Sequence, residues 1–143
     1  MSFDFFAVVR RLPALCAEDG EFQMTARYWN GALRLGIDGV GVEVTIVDGV
    51  AVATADVRGD PEAAGGHVGF DGPGRLWHKL LAPVPEPMHN DIAPVQYLGM
   101  RRTGDRDTYW QYFPAIRRVI DLLREEGVRI MAREEASAEK EQP

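Results

Sequence analysis

The sequence is poor in the residues that most often carry covalent chemistry. Cys16 is its one cysteine, so no disulfide can close within the chain, and its apolar neighbours mark it as core filler. The two serines, Ser2 and Ser137, lie near the ends, which leaves no Gly-x-Ser-x-Gly nucleophile elbow. Histidine is limited to His67, His78 and His89, at no spacing that would gather three ligands around a metal, so no metal is expected. No apolar run approaches about 18 residues, which argues against a membrane-spanning helix. Met1-Ser2-Phe3-Asp4 also lacks the basic start of a secretory signal. Gly65-Gly66 and Gly72-Pro73-Gly74 fit neither the phosphate-loop nor the dinucleotide fingerprint, so these glycines read as turns and no cofactor is expected. Lysine is confined to Lys79 and Lys140; with arginine in its place and abundant Ala, Gly and Val, the composition is that of a GC-rich bacterial genome.

Charge narrows the partners. A net charge of −6 disfavours nucleic acid, whose phosphates call for a basic face. Half of that surplus lies beyond Arg124, where Glu125, Glu126, Glu134, Glu135, Glu139 and Glu141 outnumber Arg129, Arg133 and Lys140. Residues 132–143 show no apolar period and are expected to form a disordered acidic tail. Residues 1–131 then make one domain, large enough to bury roughly 68–70% of its unfolded surface without disulfide or metal. A soluble, cytoplasmic protein is the expectation.

What is present is a strong local pattern. Asp38-Gly39 and Asp48-Gly49 are flanked by alternating apolar residues: Leu33, Leu35 and Ile37, then Val40, Val42, Val44 and Ile46, then Val50, Val52 and Thr54. Asp-Gly accepts the positive φ angles of two-residue hairpin turns, so a three-stranded meander is predicted over roughly residues 31–56. Phe22 to Trp29 is a candidate strand before it, and His67 to Phe70 a short strand after it, with Gly69 marking a bulge or a close approach. Residues 58 to 66 read as the connecting loop, and Leu98 to Thr103 as the last strand.

Helical spacing surrounds the meander. Phe5, Val8, Val9, Leu12 and Leu15 share one face near the start, kinked or broken at Pro13. Leu76, Trp77, Leu80 and Leu81 form a short helix after Gly74. Pro83, Pro85, Pro87 and Pro94 forbid regular helix through 83–94, which reads as an extended, lid-like segment. Asp105 or Thr108 caps a long helix to about Glu126, with Tyr109, Tyr112, Phe113, Ile116, Val119, Ile120 and Leu123 on its apolar face and a kink or a start at Pro114. Arg117 and Asp121 are placed to pair on its outer side. The fold class that follows is α+β: an antiparallel sheet of about five strands with helices packed on one face.

This order of elements, with "GHVGFDGPGRLWHKLL" leading strand into helix and "PVQYLGMRRTGDRDTYWQYFPAIRRVIDLL" before the last helix, resembles the sterol carrier protein type 2 family. Leu98-Gly99-Met100-Arg101-Arg102-Thr103-Gly104-Asp105 matches that family's hydrophobic-Gly-x-basic-basic-x-Gly-Asp pattern, and the resemblance covers about residues 25–125. It implies an apolar cavity between sheet and helices for an acyl, acyl-CoA or sterol-like molecule, with the domain serving alone or as an accessory to a lipid- or steroid-metabolising enzyme.

The candidate site residues follow. Phe5, Trp77, Leu80, Trp110 and Phe113 are the candidate ligand-binding residues, the alternative being that such side chains are core. Arg101 is the candidate for an anionic group on the ligand, with pairing to Asp105 or Asp107 as the ordinary alternative. His89, Asp91 and Tyr97 are the candidate proton carriers for a second reading, a small cofactor-independent enzyme using acid/base chemistry on a hydrophobic substrate. An exposed sheet edge would also allow a homodimer.

Overall fold

A computed structural model describes residues 4–59 and 65–141. The meander forms as its turn chemistry dictates. Strands β1 (Gly31–Ile37), β2 (Val40–Val47) and β3 (Val50–Arg58) pair antiparallel. Both Asp-Gly pairs lie at positive φ: 50° and 84° at Asp38 and Gly39, 47° and 77° at Asp48 and Gly49. Strand β4 (His67–Asp71) adds beside β1 in parallel, and β5 (Arg101–Gly104) closes the other edge, giving the order β3-β2-β1-β4-β5. The sheet is therefore mixed, not wholly antiparallel as expected: β4 enters beside β1 in the same direction, and a parallel neighbour needs a crossover connection that a hairpin cannot supply. Residues 60–64 of the predicted loop lie outside the described residues.

Register assigns the two faces. Leu33 and Leu35 align with Val44 and Val42 on one side and with Val68 and Phe70 on the other, and all six are at most 2% exposed. That face carries the helices. The opposite face aligns Arg34 with Glu43 and Gly69, and Gly36 with Gly41 and Asp71, and it lacks large apolar side chains in those rows. Gly69 is needed there, since a Cβ would sit 2.3 Å from the Thr103 hydroxyl.

The helices show how their caps divide them. Asp4 caps α1 (Phe5–Val9), and Pro13 sits in the first turn of α2 (Leu12–Ala17), where its missing N–H costs nothing. The predicted strand at Phe22–Trp29 is instead led by helix α3 (Gly20–Thr25). Asp19 accepts from the Phe22 amide at 2.8 Å and nucleates it, and Phe22 and Ala26, four residues apart, share the buried side. The chain after β4 forms α4 (Gly74–Leu80) and then turns and bends through the proline-rich stretch.

Pro94–Leu98 is a 3-10 helix, so the last strand is only Arg101–Gly104. Gly99 ends that helix at φ 118°, a geometry a strand would not take. The long helix is split in two: α5 (Arg106–Gln111), capped by Asp105, and α6 (Phe113–Glu141), which starts beside Pro114 as that residue allows. Residues 132–141, expected to be disordered, continue α6 as helix. Ala, Glu and Arg favour helix even where, as from Ala132 to Glu139, every side chain is exposed. Arg117 pairs with Asp91 at 3.0 Å, and Asp121 with Arg124 at 3.2 Å, so the expected i,i+4 pair is replaced by contacts to the proline-rich segment and along the helix.

Candidate functional site

The centre of the sheet–helix layer is solid. Trp29 stacks on Tyr112 with ring centroids 4.9 Å apart, and Phe22, Phe70, Leu33, Leu35 and Ile116 fill the space around them, none more than 1% exposed. The opening lies at one end of that layer. A cavity of about 530 Å³ sits between α1, the end of β1 and α4. Its volume is within the range of small-molecule sites.

Local structure explains its walls. Ile37 is the last residue of β1 on the helical face, only partly buried there because the chain turns away at Asp38-Gly39. Gly72-Pro73 ends β4 and directs α4 back across the strand ends. Leu76, Trp77 and Leu80 bury the inner side of α4, and Trp77 is fixed by an Nε1–H donated to the Gly36 carbonyl at 2.8 Å. Phe5 packs on Trp77 with centroids 4.7 Å apart, and Phe6 meets Phe5 edge-on at 5.4 Å. These aromatic rings and Ile37 form an apolar floor. Arg75, His78 and Lys79, on the exposed side of α4, form a basic rim, with Asp4 across the mouth.

Of the residues expected to hold a ligand, Phe5 and Trp77 line this cavity. Leu80 is fully buried in the core behind it. Trp110 is 64% exposed and packs with Tyr109 and Phe113 at a different place, beside β5. Arg101 is an exposed residue of the edge strand, in register with Asp71 and outside the cavity.

His89, Asp91 and Tyr97 are not brought to one cavity. His89 is within 3.1 Å of the Pro87 carbonyl, Tyr97 is 87% exposed, and Asp91 lines a separate polar cleft of about 240 Å³ with Asn90, Arg117 and Arg118. Among the described residues no three His, Cys, Asp or Glu side chains gather as metal ligands would, and no helix is long and apolar enough to cross a membrane.

Sequence reading counted Phe6 among the aromatics able to line a cavity wall without preferring it, and did not select Ile37, Arg75 or Lys79. The signal for the rim was present: Arg75 and Lys79 stand four apart on a helix whose other side is apolar, which puts both cations on one outer face.

The Gly-Asp motif proves to be architectural. Gly104 has φ 87°, and a Cβ there would lie 2.4 Å from the His67 carbonyl. Asp105 accepts from the Thr108 amide at 3.1 Å and from the Thr108 hydroxyl, while that hydroxyl accepts from the Gly66 amide at 3.1 Å. The Thr108 hydrogen bonds hold the Asp105 carboxyl below the usual carboxylate range. Arg102 lies over the Tyr109 ring at 4.7 Å. The whole segment ties β4, β5 and α5 together.

No protein-family model matches the sequence, and no curated protein matches it. Solved structures do. The chain is similar to the crystal structure of sterol carrier protein 2, with TM-score 0.66 and 17% identity, covering 83% of this chain and 95% of that one. It is also similar to a conserved hypothetical protein of Thermus thermophilus described as a candidate sterol carrier protein, with TM-score 0.58, 18% identity, and coverage of 85% and 84%. The chain thus has the sterol carrier protein 2 fold.

Proposed function

We propose that this protein binds a small amphipathic molecule, an acyl or similarly elongated apolar body carrying an acidic head, in the groove between α1 and α4. The observation that carries this reading is the pairing of an apolar floor (Phe5, Phe6, Ile37, Trp77) with the basic rim of Arg75, His78 and Lys79. Burying hydrocarbon on the floor supplies affinity at about 0.8 kcal/mol per methylene. The cations on the rim orient the head, each surface charge adding up to about 1 kcal/mol. The likeness in fold to sterol carrier protein 2 supports a hydrophobic ligand. Binding alone, or presentation of the ligand to a partner enzyme, fits a groove whose described lining has no serine, threonine or cysteine and a single carboxylate, Asp4.

Calorimetric titration with dodecanoate and with dodecanol tests this. Both should bind, the carboxylate several-fold tighter. Reversing the rim with Arg75→Glu and Lys79→Glu, both at exposed positions, should remove that preference while leaving the alcohol bound. Failure of the unmodified chain to bind either compound, or binding unchanged by Ile37→Asp, would refute the assignment.

A further inference from the structure

A second hollow adjoins the groove, and one side chain stands between them. Phe6 lines the 530 Å³ groove on one side and a cavity of about 370 Å³ on the other. The register explains the adjacency. Ile37 and Val40 are direct partners across β1 and β2, Ile37 in the first hollow and Val40 in the second. Both cavities therefore lie over the same face of the sheet, at the end closed by the Asp38-Gly39 turn. Phe6, on the five-residue helix α1, is only partly buried against the core and meets Phe5 edge-on. The second hollow is walled by Val40, Gly41 and Val57 and bridged by the Arg10–Asp56 ion pair at 3.1 Å.

We propose that Phe6 is the end wall of the groove and sets the length of the chain that the site accepts. This rests on the reading of the groove as an amphiphile site and goes beyond it, by naming the residue that decides between shorter and longer chains. With the head at Arg75 and Lys79 on α4, the tail runs along Ile37 and Phe5 and stops against the Phe6 ring. Past that ring the next apolar side chain on this face is Val40, within the second hollow. Phe6 packs against the core from outside as a partly buried residue and is not one of its buried members. Its truncation joins the two spaces without opening the interior.

The test is a series of saturated carboxylates of increasing length, titrated into the full chain and its variants. In the unmodified protein affinity should rise about fourfold per methylene until the tail meets Phe6, then level off. In Phe6→Ala the rise should continue over further methylenes; in Phe6→Trp it should level off sooner. Adding Val40→Phe to Phe6→Ala fills the second hollow and should restore the original limit. If the limit stays at the same length in a Phe6→Ala protein that melts like the parent, the inference is overturned. Should Phe6→Ala fail to fold, an unchanged limit in Phe6→Trp overturns it equally. A parent protein showing no rise with chain length at all refutes the groove assignment itself, a result distinguishable from the failure of Phe6 alone.

Discussion

The Asp19–Arg118 contact offers the sharpest test of how the helical layer is held. Asp19 does two jobs at once. Its carboxylate caps α3 through the Phe22 amide at 2.8 Å, and it receives two hydrogen bonds from Arg118 of α6, at 2.8 and 2.9 Å. The two side chains are 14% and 19% exposed, between a surface pair and a buried one. A surface pair contributes about 0–1 kcal/mol, whereas breaking a buried pair costs about 3–5 kcal/mol. An intermediate loss of about 1–2 kcal/mol is expected for Asp19→Asn, which keeps a capping oxygen and loses the charge. Asp19→Ala also loses the cap, adding about 1 kcal/mol. At roughly 2–4 °C per kcal/mol for a chain of this size, Asp19→Ala should melt about 5–10 °C below the parent and Asp19→Asn should fall between them.

Acid provides the control. Hydrogen bonds from Arg118 hold the Asp19 carboxyl below the usual carboxylate range, and the same contact raises the Arg118 guanidinium. Because the native value is depressed, the contribution is complete above the unfolded value near about 4 and is lost as pH falls through the native one. Urea melts of parent and Asp19→Ala should therefore converge as the buffer is taken from about pH 7 toward about pH 3. A gap in stability that is the same at both ends would show that the charge on Asp19 is not what holds α3 to α6. Equal losses in Asp19→Asn and Asp19→Ala would show that the cap contributes nothing.

Two further expectations concern the fold. Gly104→Ala should cost about 2–4 kcal/mol, since it combines a left-handed backbone with a Cβ driven against the His67 carbonyl, and denaturant midpoints will measure it. Burial, with the Asp19 carboxylate adding to it, pushes the Cys16 thiol from 9.0 up to about 12. The native thiol should then resist an aromatic disulfide reagent at about pH 8 and react on unfolding in urea, whereas prompt stoichiometric reaction in the native state would contradict the buried placement. The raised value also means that stability is full below about pH 9 and declines as pH rises toward about 12, a decline that Cys16→Ala should remove.

Much of this protein was legible residue by residue. The Asp-Gly turns and period-two runs determine the meander, because hairpin register is a local matter of turn type and alternation. Pro13 and Pro114 mark where helices begin, because a missing N–H is tolerated only in a first turn. Phe22 to Trp29 misled because an apolar residue every few positions over so short a stretch fits strand or helix alike; the Asp19 cap, in concert with packing against α6, decided for helix.

Other features belong to the tertiary structure alone. Nothing local states that β4 lies parallel to β1, since that pairing joins residues more than thirty apart through a crossover. Nor does spacing reveal which aromatics line a hollow. Phe5 and Trp77 do so because α1 and α4 converge over the end of β1, while Trp110, equally aromatic, stands out beside β5 and Leu80 is sealed in the core. A cavity is a property of what surrounds it, so its walls are settled only when distant segments meet.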